Sequence, residues 1–370
     1  MKICFLASAD SIHSYRWVKF FADKGHEVHW ISFIKSIFKP IEGVHYYEFL
    51  LSPGRIVRMF PVFVRVRRLV GKIMPDILHA HYVGTYGLGG ALTGFQPFIT
   101  SAWGSDILFA GRAWHKRPFV KYALGKSRLI TTDAHHMIDA MKAMGVEESK
   151  MKLICFGIDT QQFRRSEEDR RATRESLNLG ESPTVISLRT LDPLYDVGTL
   201  IRAAPRILKQ VPQAVFLIVG DGSQKQELYK LAKDLGIAES MRFLGRIPNH
   251  QLPRYLSATD LYVSTSLSDA GIAASTAEAM ACQTPVVVTN SGENSLWVQD
   301  GKSGFVVPLQ DPDKLADRLI VLLKDKEMRV RFGALGRETI KEKNDYHNEM
   351  SKMETIYQDI CLKGRPACAS

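Results

Sequence analysis

Between Asp260 and Asn290 the chain reads as a buried strand, a glycine-bearing turn, a helix and a second strand, an order of elements that suits a phosphate. Asp260-Leu-Tyr-Val-Ser-Thr-Ser266 mixes β-branched and aromatic residues. Ser268, Asp269, Ala270 and Gly271 have turn character, and Ile272, Ala273 and the Ala-rich run to Cys282 favour a helix. A turn entering a helix leaves backbone N–H groups without intrahelical partners at the positive end of the helix dipole, where anions are favoured. Gly271, with no Cβ, lets that backbone approach closely. Arg189 ends the predicted strand Thr184–Arg189, and its planar guanidinium matches phosphate oxygens as a rigid fork. An arginine at a strand end also serves as an ordinary surface ion pair, so its role depends on its company. Gly220-Asp-Gly222 closes another apolar run in a turn common to many α/β proteins.

These groups need elements to hold them, and the apolar pattern supplies two sets. Ile3 to Ala7 as strand, Trp17 to Lys24 as helix, Gly25 as stop and Val28 to Phe33 as strand make a βαβ opening. Asp76 to His81 ends a further strand, Gln96 to Ser101 is followed by a tight loop from Trp103 to Asp106, and Leu129 to Asp133 is another strand. A second series begins at Thr184, with a helix from about Val197 to Gln210, a strand from Ala214 to Gly220, a helix from Gln226 to Leu235 and a strand at Met241. The repetition predicts an α/β chain of two Rossmann-like halves facing one cleft. Ligands of such sheets gather at the carboxyl ends of strands, where the loop Ser8 to Ser14 lies. The charged, helix-poor stretch Arg164 to Arg174 is expected to contain the boundary. Glu278 falls early on its helix, where a carboxylate serves the helix dipole. His79 and His81 read as core or hinge histidines.

A chain of 370 residues suffices for two domains that each bury a core. Five scattered cysteines, Cys4, Cys155, Cys282, Cys361 and Cys368, show no metal-ligand spacing and suit a reducing cytoplasm. The first apolar run is too short for a secretory signal, and no window reaches the length of a membrane span. The net charge of +10 asks for an acidic partner. From Pro53 to Met74, Arg58, Arg65, Arg68 and Lys72 fall on one side of a helical projection and Met59, Phe63, Val66, Val70 and Ile73 on the other, with Pro61 splitting the segment. A solvated charged face and a helix lying on anionic lipid are both open readings. Arg112, His115, Lys116, Arg117, Lys121, Lys126 and Arg128, interleaved with Trp114, Phe119 and Tyr122, form a second basic cluster suited to lipid head groups or nucleic acid.

The run Glu278-Ala-Met-Ala-Cys282, followed by Pro285-Val-Val-Val and by Gly301-Lys-Ser-Gly304 to Pro308, resembles the nucleotide-sugar-binding core of the GT-B glycosyltransferases of family GT4. The resemblance covers nearly the whole chain and is strongest from Arg189 to Pro308. It implies an acceptor-binding domain at 1–165, a nucleotide-sugar-binding domain at 166–345 and a C-terminal helix at 346–370 crossing back to the first domain. By the same resemblance Glu278 holds the nucleotide ribose, the main chain at Arg246 and Ile247 reads the base, and Gly222 with Asp269, Ala270, Gly271, Ile272 and Ala273 surrounds the sugar diphosphate. The family's sugar-contacting carboxylate lies eight positions before this glutamate, at Ala270, so Asp269 stands one residue early. Gln283 stands where the family usually has Gly. Arg189 neutralises the departing diphosphate, and Tyr195 or the backbone replaces a lysine that this stretch lacks. Trp103 occupies the histidine place of a Thr-x-His-Gly-x-Asp pattern whose Gly104 and Asp106 remain.

Asp106 is the acidic group expected near the acceptor, and Asp10, Ser11, His13 and Trp103 are the expected acceptor contacts, although the Gly-Gly pair of many relatives is missing from that loop. No D-x-D pair follows a cleft-facing strand, so metal-independent transfer with no cofactor is expected. The implied function is retaining transfer from a nucleotide-diphosphate sugar to a glycan or lipid-linked acceptor in cell-surface polysaccharide, lipopolysaccharide or glycolipid synthesis. It is expected in the cytoplasm, with an anionic inner membrane face as a further partner. Two alternatives stand: a GT-B scaffold that binds nucleotide sugar without transferring it, and a basic nucleic-acid-binding protein, disfavoured because its basic clusters match no nucleic-acid motif.

Overall fold

The computed structural model describes residues 1–51, 59–109, 111 and 113–364. Arg58, Arg112 and Cys368 lie outside the described residues. The chain forms two compact units, Met1–Phe156 with Asn348–Ser370, and Gly157–His347.

The first unit is built on seven parallel strands: β1 (Lys2–Leu6), β2 (Glu27–Ser32), β3 (Val44–Glu48), β4 (Ile77–His81), β5 (Phe98–Ala102), β6 (Leu129–Thr132) and β7 (Met151–Leu153), in the order β3-β2-β1-β4-β5-β6-β7. Parallel strands carry helices on both faces, so β4, β5 and β6 are buried at every residue. Ile3 pairs with Val28 on one side and Ile77 on the other. The second unit repeats the plan with β8 (Thr184–Ser187), β9 (Val215–Val219), β10 (Met241–Gly245), β11 (Leu261–Ser264), β12 (Val286–Thr289) and β13 (Gly304–Val307), ordered β10-β9-β8-β11-β12-β13. Each unit has its own apolar core, around Leu6, Leu78, Phe98 and Ile130 in the first and Val185, Phe216, Val263 and Leu319 in the second.

Several local expectations are corrected. The first helix begins at Ile12 rather than Trp17, capped by Ser11 through its Oγ and the Ser14 N–H, so His13 stands on a helical turn and not in a loop. The stretch expected to be helix-poor contains the helix Glu167–Ser176, capped by Ser166 and opened by three acidic residues that suit its dipole. The part of the expected segment before Met59 lies outside the described residues, and Pro61 does not interrupt the helix that follows. It stands in the first turn of Phe60–Ile73, where a missing N–H costs nothing. The apolar side of that helix, Phe63, Val66, Val70 and Ile73, is buried in the core of its own unit, leaving Arg65, Arg67, Arg68 and Lys72 exposed. Glu278 is the fifth residue of the helix Ala274–Ala281, past the first turn, so the dipole does not account for it. Gln283, beyond that helix, adopts φ +57°, the conformation that makes glycine usual at such a place. The last helix, Tyr346–Gly364, contributes the fully buried Tyr357 to the first unit, where its hydroxyl meets His79. Among the described residues no helix is long and apolar enough to cross a membrane.

Candidate active site

In the second unit the strand order reverses between β8 and β11, the place where parallel sheets bind ligands beyond their carboxyl ends. The chain leaving β8 carries Arg189, and the chain leaving β11 carries the turn with Asp269 to Ala273. Arg189 donates from Nη2 to Asp269 Oδ1 at 2.6 Å and from Nη1 to Ser275 Oγ at 3.3 Å. Its guanidinium carbon lies 4.4 Å from the centre of the Tyr195 ring, a cation–π distance. The side chains of Arg189 and Asp269 are only 9% and 8% exposed, so this pair works in a poorly screened environment. Burial, the largest influence, pulls the arginine pKa down. The Asp269 carboxylate and its neighbours outweigh it and leave the pKa raised, so the group stays cationic. Ser275 is held by Tyr262 Oη at 2.8 Å, and Ser291 Oγ donates to Asp269 Oδ2 at 3.3 Å. The buried Arg189 Nε has no hydrogen-bond partner among the described residues, a donor left for an anionic oxygen.

Two of the residues expected at the donor are engaged with Arg189. Tyr195, expected with the backbone as an alternative to replace the missing lysine, lies against the face of Arg189 and supports it. Asp269, expected among the sugar contacts, is bound by Arg189 and Ser291. Gly222, expected at the donor, has a packing reason, because a Cβ there would lie 2.5 Å from the Leu191 carbonyl carbon. Gln224 N–H donates to Leu191 O at 2.8 Å and Ser223 Oγ to Asp192 Oδ1 at 2.7 Å, tying this loop to the one that carries Tyr195. Ala270 is half-buried, and Gly271, Ile272 and Ala273 are buried at the entrance to the helix. Glu278 is 4% exposed and its Oε1 accepts from Asn249 Nδ2 at 2.8 Å. That bond joins the helix glutamate to the loop of the exposed Arg246 and half-buried Ile247, the two places that the sequence assigned to ribose and base.

In the first unit the order reverses between β1 and β4. Asp10, in the loop after β1, is exposed and accepts from Ser8 Oγ at 2.6 Å. His13 stacks on Phe156 with ring centres 4.3 Å apart, and Trp103 lies edge-on to both at 6.1 and 5.6 Å. His13 keeps a partly exposed rim, yet desolvation first and the Arg16 charge second push its pKa down to about 4, so it is neutral at physiological pH. Asp106, expected near the acceptor, is fully buried, with Oδ1 accepting from Trp103 N–H at 3.1 Å and Oδ2 from Val83 N–H at 2.7 Å. Burial raises its pKa to about 6 against the pull of these N–H groups. It fastens the loops after β4 and β5, with both oxygens accepting from backbone N–H groups. His79 and His81 are buried, as their sequence setting implied. Phe156, Asn249, Ser275 and Tyr262 carried no motif signal. Only their position against named site residues reveals them.

Residues 169–339 match the family Glycosyl transferases group 1, and residues 2–134 match Glycosyl transferase 4-like. The chain is 28% identical over 316 residues to the GDP-mannose-dependent alpha-(1-6)-phosphatidylinositol monomannoside mannosyltransferase of Mycobacterium tuberculosis, covering 80% of this chain and 79% of that one. It is 31% identical over 288 residues to the D-inositol 3-phosphate glycosyltransferase of Frankia alni, covering 71% and 69%. Among solved structures it is similar to Anabaena HepE in complex with UDP and glucose, with a TM-score of 0.84, 20% identity and coverage of 97% and 99%.

Proposed function

This chain belongs to the GT4-type glycosyl transferases of group 1, with the GT-B fold, and from that premise we propose that it is a retaining glycosyltransferase. It moves a sugar from a nucleotide-diphosphate donor to a glycan or lipid-linked acceptor in the synthesis of a cell-surface glycan or glycolipid. The observation that carries this reading is the buried Arg189, charged, braced by Asp269 and Tyr195, with an unpartnered Nε at the sheet's switch point. In the transfer the bond between the anomeric carbon and the diphosphate oxygen breaks. The acceptor oxygen bonds to the same face of that carbon, and its proton passes to the leaving phosphate. Arg189 stabilises the charge that grows on the diphosphate, which counts most in a water-poor setting. Glu278 holds the ribose hydroxyls, and the backbone of Ala270 to Ala273 lies against the phosphates. His13, Trp103 and Phe156 give the acceptor an aromatic wall, with Asp10 and Ser11 at its edge. No residue of this scheme requires a metal ion, and no nucleic acid takes part.

A thermal-shift panel of GDP- and UDP-sugars tests the donor class. A donor at about 100 times its dissociation constant adds about 2.7 kcal/mol, which for a unit of this size is roughly 5–10 °C. One nucleotide series is expected to stand out. A panel in which no nucleotide sugar shifts the transition contradicts the proposal, and binding without turnover on any acceptor would favour the scaffold reading.

The place of work is proposed as the inner membrane face, held by charge. With most of its apolar side buried in its own core, the helix Phe60–Ile73 offers lipid the exposed Arg65, Arg67, Arg68 and Lys72, with Phe60 exposed at its start. The segment around Trp114, itself 86% exposed, adds Lys116, Arg117 and Lys121. Each basic residue near an anionic surface contributes about 1 kcal/mol, decaying within a Debye length. Changing Arg65, Arg68 and Lys72 to Ser should weaken binding to acidic liposomes roughly 100-fold at low salt. No liposome binding by the unaltered chain at low salt would point to a soluble acceptor.

A further inference from the structure

On the first unit, at the amino ends of the strands, Glu27, His29 and His45 bring one carboxylate and two imidazoles together, with ligand atoms all within 4.8 Å of one another. Their placement follows from the sheet. Glu27 and His29 are two apart on β2 and so point to one face, and His29 is the direct register partner of His45 on β3. His29 Nε2 lies 3.0 Å from Glu27 Oε1, and the two imidazoles stack with centres 4.7 Å apart. In a tetrahedral zinc site with Zn–N bonds of about 2.0–2.1 Å, neighbouring ligand atoms are about 3.3 Å apart. Modest rotation of side chains therefore closes this cluster on one ion.

We propose that Glu27, His29 and His45 form a binding site for a divalent transition metal ion of the zinc class, joining β2 to the edge strand β3. Two imidazoles and a carboxylate suit zinc better than calcium or magnesium, which prefer all-oxygen shells. The other nitrogen of His29 also has a partner. Nδ1 lies 3.2 Å from Tyr47 Oη, so when Nε2 takes the ion, the ring proton sits on Nδ1 and is donated to that hydroxyl. This is the outer-shell bond that metal-binding histidines commonly have, and it fixes the tautomer. Lys2 Nζ, 3.1 Å from Glu27 Oε1, competes for the carboxylate and must swing away. The strand β3 has no fully buried residue and is the outer strand of its sheet. A metal clip would supply the cross-strand attachment that burial does not.

The site is independent of glycosyl transfer. Lys2, which pairs with Glu27, and Ala7, which leads into the Ser8 loop, are separated by five residues, about 16 Å along a strand. The test uses the full chain stripped with a chelator and then titrated with zinc by calorimetry. One equivalent is expected to bind, and His45→Ala or Glu27→Gln should weaken it at least about tenfold. Tyr47→Phe should cost about tenfold through its outer-shell bond, and Lys2→Met should tighten binding. Zinc should raise the melting temperature of the unaltered chain and not that of His45→Ala, which changes an exposed residue on an outer strand. Cobalt in place of zinc should give visible ligand-field bands without a near-ultraviolet thiolate band. The proposal is overturned if the stripped chain takes no zinc, if His45→Ala binds zinc as the unaltered chain does, or if the cobalt spectrum shows cysteine ligation.

Discussion

Replacing Arg189 is expected to lower kcat about 100- to 1000-fold while changing donor affinity much less, because its charge matters most as the diphosphate departs. Arg189→Ala carries a folding cost too. It leaves the Asp269 carboxylate, 8% exposed, without its cation, and breaking such a buried pair costs about 3–5 kcal/mol. Arg189→Lys keeps a charge near Asp269 but loses the rigid fork and the stacking on Tyr195, so it should fold and still turn over slowly. Steady-state kinetics with the donor varied, beside an unfolding curve for each variant, separates the two effects. If Arg189→Lys is as fast as the unaltered chain, the forked geometry plays no part. If both variants lose donor binding and keep turnover, the charge-neutralising role is wrong.

The second large effect is expected at Glu278. Losing charge-assisted bonds to two ribose hydroxyls should weaken nucleotide binding by about 2–3 kcal/mol, roughly 30- to 150-fold. Glu278→Gln is the cleaner variant, since its side-chain oxygen can still accept from Asn249 Nδ2 and its volume fills the same buried space. Titration calorimetry with the preferred nucleoside diphosphate and its 2′,3′-dideoxy form makes a double-mutant cycle. Strong coupling between glutamate and hydroxyls is the expected result. Additive losses, or an unchanged affinity in Glu278→Gln, would remove Glu278 from the ribose.

Much of the molecule was legible in the chain because its signals are local. A parallel strand buried on both faces is a short apolar run, and Ile77 to His81, Val215 to Val219 and Val286 to Thr289 were all found where such runs stand. Arg189 and Glu278 were singled out by residue type within a motif. Boundaries were less legible. Ser11 as a cap drew the first helix back over His13, and Ser166 with three following acids started a helix in a stretch whose charge had looked like linker.

What the amino-acid sequence by itself determined was therefore the βαβ repetition, the family likeness and the type of group at each strand end. Only the tertiary structure decided which groups meet. Arg189 and Asp269 are 80 residues apart and touch because β8 and β11 are neighbours in the sheet order, which no periodicity records. The same holds for Asp106, whose oxygens are consumed by N–H groups of two different loops, and for Phe156 beneath His13. The helix Phe60–Ile73 shows the reason most plainly. Amphipathic spacing states that one face will be covered, but whether core or lipid covers it depends on what the fold brings alongside, and here it is the core of its own unit.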